Sequence, residues 1–214
     1  MGVAEEAVCG EPMAVINEKY CDPREVQISV KKKWCFFIKG YEVRDDSNGK
    51  ILFTANKISS FFHSTLILLD AAKQAVVTLR QKKIFPLESW DIYRGVEKGE
   101  TDIIFTTRTS SLFQLTPNQE VFLASNKNPS LKVCDYKMET CHRMFLPPIS
   151  KIFAQPSYAL IAESVKQSSF FGEDKLKVTV QPNVDQAFVV SLLMIQEEIN
   201  RRKDDSEDSD DEED

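Results

Sequence analysis

Apolar and polar positions alternate with period two at both ends of the chain's middle section. Val26, Ile28 and Val30 are separated by Gln27, Ser29 and Lys31, and Leu176, Val178 and Val180 by Lys177 and Thr179. Side chains that alternate in this way occupy the two faces of a half-buried strand. Between them lie short apolar runs at Ile51–Phe53, Leu66–Leu69, Val76–Leu79, Ile103–Phe105, Val121–Leu123 and Leu160–Ile161. Turn-forming stretches such as Asp45–Gly49, Gly95–Gly99 and Asn126–Pro129 bound these runs. Successive strands at intervals of about ten residues predict an antiparallel sandwich or barrel. No segment before residue 183 sustains a helical period long enough to compete.

The end of the chain reads differently. Asn183 followed by Val184, Asp185 and Gln186 resembles a capping box, with Asn183 as the cap and Gln186 three residues on. From Val184 to about Arg202 neither glycine nor proline interrupts, which predicts roughly 27 Å of helix at about 1.5 Å per residue. Residues Ala187 to Ile195 are apolar in every direction around that axis, apart from Ser191. A surface helix is apolar on one stripe only, so this helix is expected to be buried all round. In an all-β chain the place that surrounds a helix is the inside of a closed barrel.

Composition divides the chain into three. The net charge of −6 is concentrated in the tail, where Asp204–Asp214 hold nine acids and no base. Residues 1–18 add four acids (Glu5, Glu6, Glu11, Glu18) and no base, so 19–203 carry 27 bases against 20 acids. A flexible N-terminus (1–19), a barrel domain (20–203) and an acidic disordered tail (204–214) are expected. An acid-rich tail repels itself and buries no apolar area. Five cysteines, odd in number and without C-x-x-C, favour a reducing compartment. Residues 1–18 lack the basic-then-apolar order of a secretory signal, and no apolar run approaches the length of a spanning helix. A cytoplasmic monomer is expected, with the plasma-membrane surface or the nucleus as alternative stations.

Tyr20-Cys21, Leu68-Leu69-Asp70-Ala71, Val77-Thr78-Leu79-Arg80, Ser89-Trp90, Thr107-Arg108-Thr109-Ser110-Ser111 and Val121-Phe122-Leu123-Ala124 resemble the LURP-one-related proteins of plants. So do Asp174-Lys175, Val178-Thr179-Val180 and Pro182-Asn183-Val184-Asp185-Gln186-Ala187-Phe188, in the same order. The resemblance spans roughly 20–203, with Gln186 standing where the family usually has an aromatic residue. It implies the fold of the tubby C-terminal domain and the phospholipid scramblases. That fold is mainly β: a closed antiparallel barrel of roughly a dozen strands around a buried hydrophobic C-terminal helix. For function it implies kinship with membrane-tethered transcription factors and, through the founding member, a link to plant defence against an oomycete. It carries over no catalytic residue.

The residues themselves argue against catalysis. His63 and His142 are the sole histidines, and Cys141 beside His142 on a strand would point to the opposite face. No G-x-S-x-G, P-loop or G-x-G-x-x-G occurs, and neither a zinc ligand set nor a calcium loop is present. No catalytic residue, metal or cofactor is predicted.

Binding is the stronger expectation. Lys31, Lys32 and Lys33 stand beside Trp34, Phe36 and Phe37, and Arg80, Lys82 and Lys83 precede Ile84 and Phe85. Cations beside aromatic residues suit an anionic phospholipid or phosphoinositide surface. The alternative is a protein-interaction scaffold without lipid binding, the clusters then being a solvated rim around core aromatics. Duplex nucleic acid is not an expected direct partner, because the one long helix is buried and unavailable as a reading element. Ser206 and Ser209, each followed by acids, fit an acidophilic kinase of the casein kinase II type. The tail is further expected to sweep back over the basic clusters as an intramolecular competitor.

Overall fold

The computed structural model describes residues 11–35, 38–59, 64–84, 87–96, 102–109, 118–126, 133–143, 146–167 and 175–210, with the backbone alone at several strand ends and at 202–210. The first six strands are β1 (Val26–Cys35), β2 (Ile38–Asp45), β3 (Ile51–Ser59), β4 (Ser64–Asp70), β5 (Ala75–Ile84) and β6 (Leu87–Arg94). The next six are β7 (Ile103–Thr109), β8 (Gln119–Leu123), β9 (Tyr136–Arg143), β10 (Leu146–Ala154), β11 (Ala159–Gln167) and β12 (Lys175–Val180). Each pairs antiparallel with its neighbours in sequence, and β1 pairs with β12 to close the barrel. Closure removes the exposed sheet edges that an open sandwich would leave. The sandwich-or-barrel ambiguity is thus resolved in favour of the barrel.

Alternation sends one face of every strand inward. Ile28, Val43, Phe53, Leu68, Ile92 and Phe105 are buried, as are Met138 and Val178. Among the described residues a single α-helix, α1 (Gln186–Asp210), threads the interior. Every residue from Ala187 to Ile195 is 2% exposed or less, Ser191 included. The Ser191 hydroxyl donates to the Ala187 carbonyl at 2.7 Å, so it is satisfied without any partner from the wall. Phe188 packs its ring against Phe105 and Tyr136, at 5.2 and 4.8 Å between centroids.

The helix start differs from the expected capping box. Asn183 lies in a left-handed turn (φ 62°), and Asp185 is the cap instead. One Asp185 carboxylate oxygen accepts the amides of Ala187 and Phe188 at 3.0 and 3.1 Å, and the other accepts those of Ile16 and Asn17 at 2.7 and 3.0 Å. Burial raises the pKa of this carboxyl, against the lowering pull of those four amides. Hydrogen bonds to a charged group are worth about 1.5–3 kcal/mol each, so Asp185 joins the helix start to the chain's beginning.

The flexible segment expected over 1–19 is corrected accordingly from residue 11 onward. Met13 bridges Val184, Cys21 bridges Asp185, and Ile16 is buried in the core. A short 3-10 turn, Glu18–Tyr20, is capped by the Asn17 side chain. Both a buried apolar contact and two donors for Asp185 tie the segment down, which its acidic composition concealed. Residues 1–10 lie outside the described residues.

The tail expectation is corrected at the other end. The helix continues to Asp210, seven residues into the stretch expected to be disordered. Once a helix is nucleated each further residue adds a backbone bond, and neither glycine nor proline intervenes before Asp210. Residues 211–214 lie outside the described residues.

Candidate functional site

Because α1 starts beside the end of β12, its C-terminal turns leave the barrel at the opposite end, where β1, β3 and β5 finish. The lining there changes from apolar to polar. Tyr41 on β2 and Lys57 on β3 point inward, since they share a face with Val43 and with Phe53 and Ala55. The Tyr41 hydroxyl donates to Glu198 Oε1 at 3.0 Å, and Lys57 is ion-paired to Glu198 Oε2. The side chains of Lys57 and Glu198 are 4% and 2% exposed. Arg201 approaches the same carboxylate at 3.3 Å. Burial pulls the Glu198 carboxyl upward, but Lys57, Arg201 and Tyr41 together hold it below the ordinary carboxylate range. Gln119 on β8 donates to Gln196 at 2.7 Å, and Gln196 donates to Asn200. The contacts between wall and helix were not legible as a site, because those partners lie 77 to 157 residues apart.

The first basic cluster is divided by strand alternation. Lys32 shares the inward face of Ile28 and Val30, and its ammonium meets Glu197 of the helix at 2.8 Å. Lys31 and Lys33 take the outer face, where Lys33 binds Glu42 at 2.6 Å. Arg44 binds the other oxygen of Glu42 at 2.8 Å, and the two cations hold that carboxyl low against the upward pull of burial. Across the β1–β12 seam Lys31 stands directly opposite Lys175, and Lys177 two residues on is ion-paired to Asp46. Arg44, Lys175 and Lys177 were not among the predicted site residues, because each is an isolated cation in the sequence.

The second cluster lies at the same end of the barrel but on β5, with β2, β3 and β4 between it and β1. Lys82 is ion-paired to Asp91, a carboxylate whose side chain is 4% exposed, and the Tyr93 hydroxyl donates to the same oxygen at 3.3 Å. Arg80 is half-buried. The structure therefore places the two clusters on one end without joining them. The side chains of Lys83 and Trp34, and residues Phe36, Phe37 and Phe85, lie outside the described residues. Ser206 and Ser209 fall on the last turns of α1, their side chains likewise outside. A helix rises about 1.5 Å per residue, so the backbone of Asp210 stands about 16 Å beyond buried Ile199 along the barrel axis. The expected tail that sweeps back over the clusters is thus replaced by one that is carried away from them.

His63 and the His142 side chain lie outside the described residues. Burial, with Asp185 and Glu18, pushes the Cys21 thiol up to about 11, and burial raises Cys134 as well. Neither is a ready thiolate at neutral pH. Among the described residues no group of three His, Cys, Asp or Glu is placed to hold a metal ion, and no helix is long and apolar enough to cross a membrane. At the barrel end where the helix starts, a cleft of about 390 Å³ opens over Tyr20, Leu52, Phe53 and Gln186, with Lys19 and Asp70 paired across its rim at 3.5 Å.

A closed twelve-stranded antiparallel barrel filled by one C-terminal helix defines a single-helix barrel class of protein. The profile of the LURP-one-related family matches residues 26–197, and the chain belongs to that family. Among curated relatives, Protein LURP-one-related 15 of Arabidopsis thaliana is 34% identical over 191 residues, covering 87% of this chain and 86% of that one. Protein LURP1 of the same plant is 33% identical over 195 residues, covering 89% of this chain and 92% of its own. A crystal structure of an Arabidopsis thaliana protein superposes with a TM-score of 0.65 at 28% identity, over 87% of this chain and 98% of that one.

Proposed function

We propose that this LURP-one-related protein is a non-enzymatic module that binds anionic phospholipid, phosphoinositide included, at a membrane surface. The observation that carries the reading is the collection of cations at the end where the helix leaves, with Lys31 and Lys33 on the outer face and Lys32 at the mouth. Arg80, Lys82 and Lys83 are assigned to the same end as a second, weaker contact. Kinship with tubby and scramblase proteins, and a part in plant defence at the membrane, accord with such binding.

Flotation with phosphatidylcholine vesicles, with and without phosphatidylserine or phosphatidylinositol bisphosphate, tests it. Binding is expected with either anionic lipid and should weaken as salt rises, because screening shortens the reach of the lysines to about 10 Å near 0.1 M salt. Equal flotation with neutral vesicles, or none with any, defeats the proposal and leaves the scaffold reading.

Ser206 and Ser209 are proposed as phosphate acceptors on the acid-rich end of α1. Each phosphate would add about −1.5 to −2 charge at a helix C-terminus, which the helix dipole disfavours. Mapping of protein purified from plant cells is expected to find phosphate at Ser209 first, and an unmodified tail would remove the assignment.

A further inference from the structure

We propose that the cleft at the barrel end where α1 starts binds a small organic amine, an ammonium group carried on a compact apolar body. The site lies at the opposite end from the lysine clusters and does not rest on the lipid reading.

The cleft's volume of about 390 Å³ falls within the range of about 300–1,000 Å³ usual for small-molecule sites. Core packing builds its floor. Tyr20, the last residue of the 3-10 turn Glu18–Tyr20, stands edge-on to buried Phe53 at 5.3 Å between centroids, which fixes the plane of its ring. Half-buried Leu52 and the turn residues Ala71 and Ala72 continue the apolar surface. Gln186, the first residue of α1, also lines the cleft, and its side-chain amide makes no hydrogen bond among the described residues. That amide offers a ligand one acceptor and two donors.

The charged groups at the rim select a cation. The Lys19 ammonium lies 4.7 Å from the centre of the Tyr20 ring and 3.5 Å from Asp70 Oδ2. A ring face and a carboxylate are groups that recognise an ammonium ion. Asp70 is oriented in advance, because its Oδ1 accepts the amides of Ala72 and Gln74, both at 3.0 Å, while Oδ2 faces Lys19. Lys19 itself is loosely held. Its side chain is 57% exposed, and 3.5 Å is a long hydrogen bond. Exposed pairs of this kind contribute little to folding, so a ligand displaces Lys19 at little cost. Lys19 thus stands where the ligand's own ammonium would lie. An anionic ligand would instead meet Asp70 and Asp22 with Lys19 as its one cation among the lining residues. The Cys21 thiol, pushed up to about 11, is neutral at pH 7 and alters neither case.

Tryptamine is the probe, an ammonium on an indole whose N–H suits the Gln186 carbonyl. Indole-3-propionate carries the same ring with the opposite charge. Both are titrated into the isotope-labelled full chain and followed by amide NMR. Tryptamine is expected to shift the resonances of Tyr20, Cys21, Ala71 and Gln186 with a dissociation constant on the order of 0.1–1 mM, and the propionate to leave them unmoved. Two variants test the sign. Lys19→Met removes the resident cation and should tighten tryptamine binding about two- to fivefold, whereas Asp70→Asn keeps the Oδ1 acceptor, loses the charge and should weaken binding by about the same factor. Both should melt as wild type, since Lys19 is exposed and the turn cap survives in Asp70→Asn. Lys151→Gln, on β10 and remote from the cleft, should bind as wild type. A lysine that served an anionic ligand would give the reverse order of the two variants, and that result overturns the proposal. Equal affinity in wild type and both variants overturns it too, as does tryptamine that moves no cleft resonance at about tenfold above the expected constant.

Discussion

Leu192→Asp is expected to abolish folding, and Leu193→Asp to do the same. The two side chains are 0% and 2% exposed, on the stretch of α1 that is surrounded by the barrel wall. A carboxylate there meets apolar atoms on every side, and a buried, unpartnered charge costs several kcal/mol or neutralises itself at similar expense. Typical domains hold about 5–15 kcal/mol in total. Leu192→Ala should instead cost about 2–5 kcal/mol and leave a folded, less stable protein. Near-ultraviolet circular dichroism and thermal melting separate the outcomes, and a Leu192→Asp protein with a wild-type melt would contradict the threaded helix. Truncation before Asn183 should likewise leave the barrel without its filling, whereas truncation after Lys203 removes only turns beyond the barrel and should spare the fold.

The buried helix was legible because its pattern has one physical solution. Nine consecutive residues that are apolar all round, apart from a serine able to bond its own backbone, require a surrounding wall. Eight of the strands were legible for a related reason, each having an apolar run or clean alternation. Strands β2, β6, β9 and β10 were not. β9 reads Tyr-Lys-Met-Glu-Thr-Cys-His-Arg, and its inward face includes Thr140, which bonds Ser150 on β10. β10 carries Pro147 and Pro148 directly after its first residue, Leu146, where its register with β9 shifts. These strands turn few apolar side chains inward (Tyr41 and Val43 on β2, Trp90 and Ile92 on β6), and polar or charged residues separate them, so no apolar run marks the strand although the pairing does. The cap was misplaced because Asn183 and Asp185 both suit a helix start, and the choice was made by the amides of Ile16 and Asn17, distant in sequence. The same limit applies to the basic face. A run of three lysines is conspicuous, but Lys175 and Lys177 join it only through a β1–β12 pairing that closes the whole chain.

Lys57→Met is expected to cost about 3–5 kcal/mol at neutral pH, the usual penalty for removing one partner of a buried ion pair. Glu198 would keep the Tyr41 hydroxyl and Arg201 but lose the ammonium that its burial most requires. The sign of the pH dependence distinguishes this from loss of packing. In the wild type Glu198 has a lowered pKa, so its contribution is present above the ordinary glutamate value of about 4.3 and is lost as pH falls through the lower folded value. In Lys57→Met burial dominates and raises the carboxyl, so acid now neutralises a group that was costly when charged. The stability gap between variant and wild type should therefore narrow as pH falls from 7 towards 4. A purely steric defect would keep the gap constant, which is the result that would refute the assignment. Lys57→Met/Glu198→Gln provides the second check. Glutamine still accepts the Tyr41 hydroxyl while removing the stranded charge, so the double variant should be more stable at pH 7 than Lys57→Met alone, and its melting temperature should vary little across the same pH range.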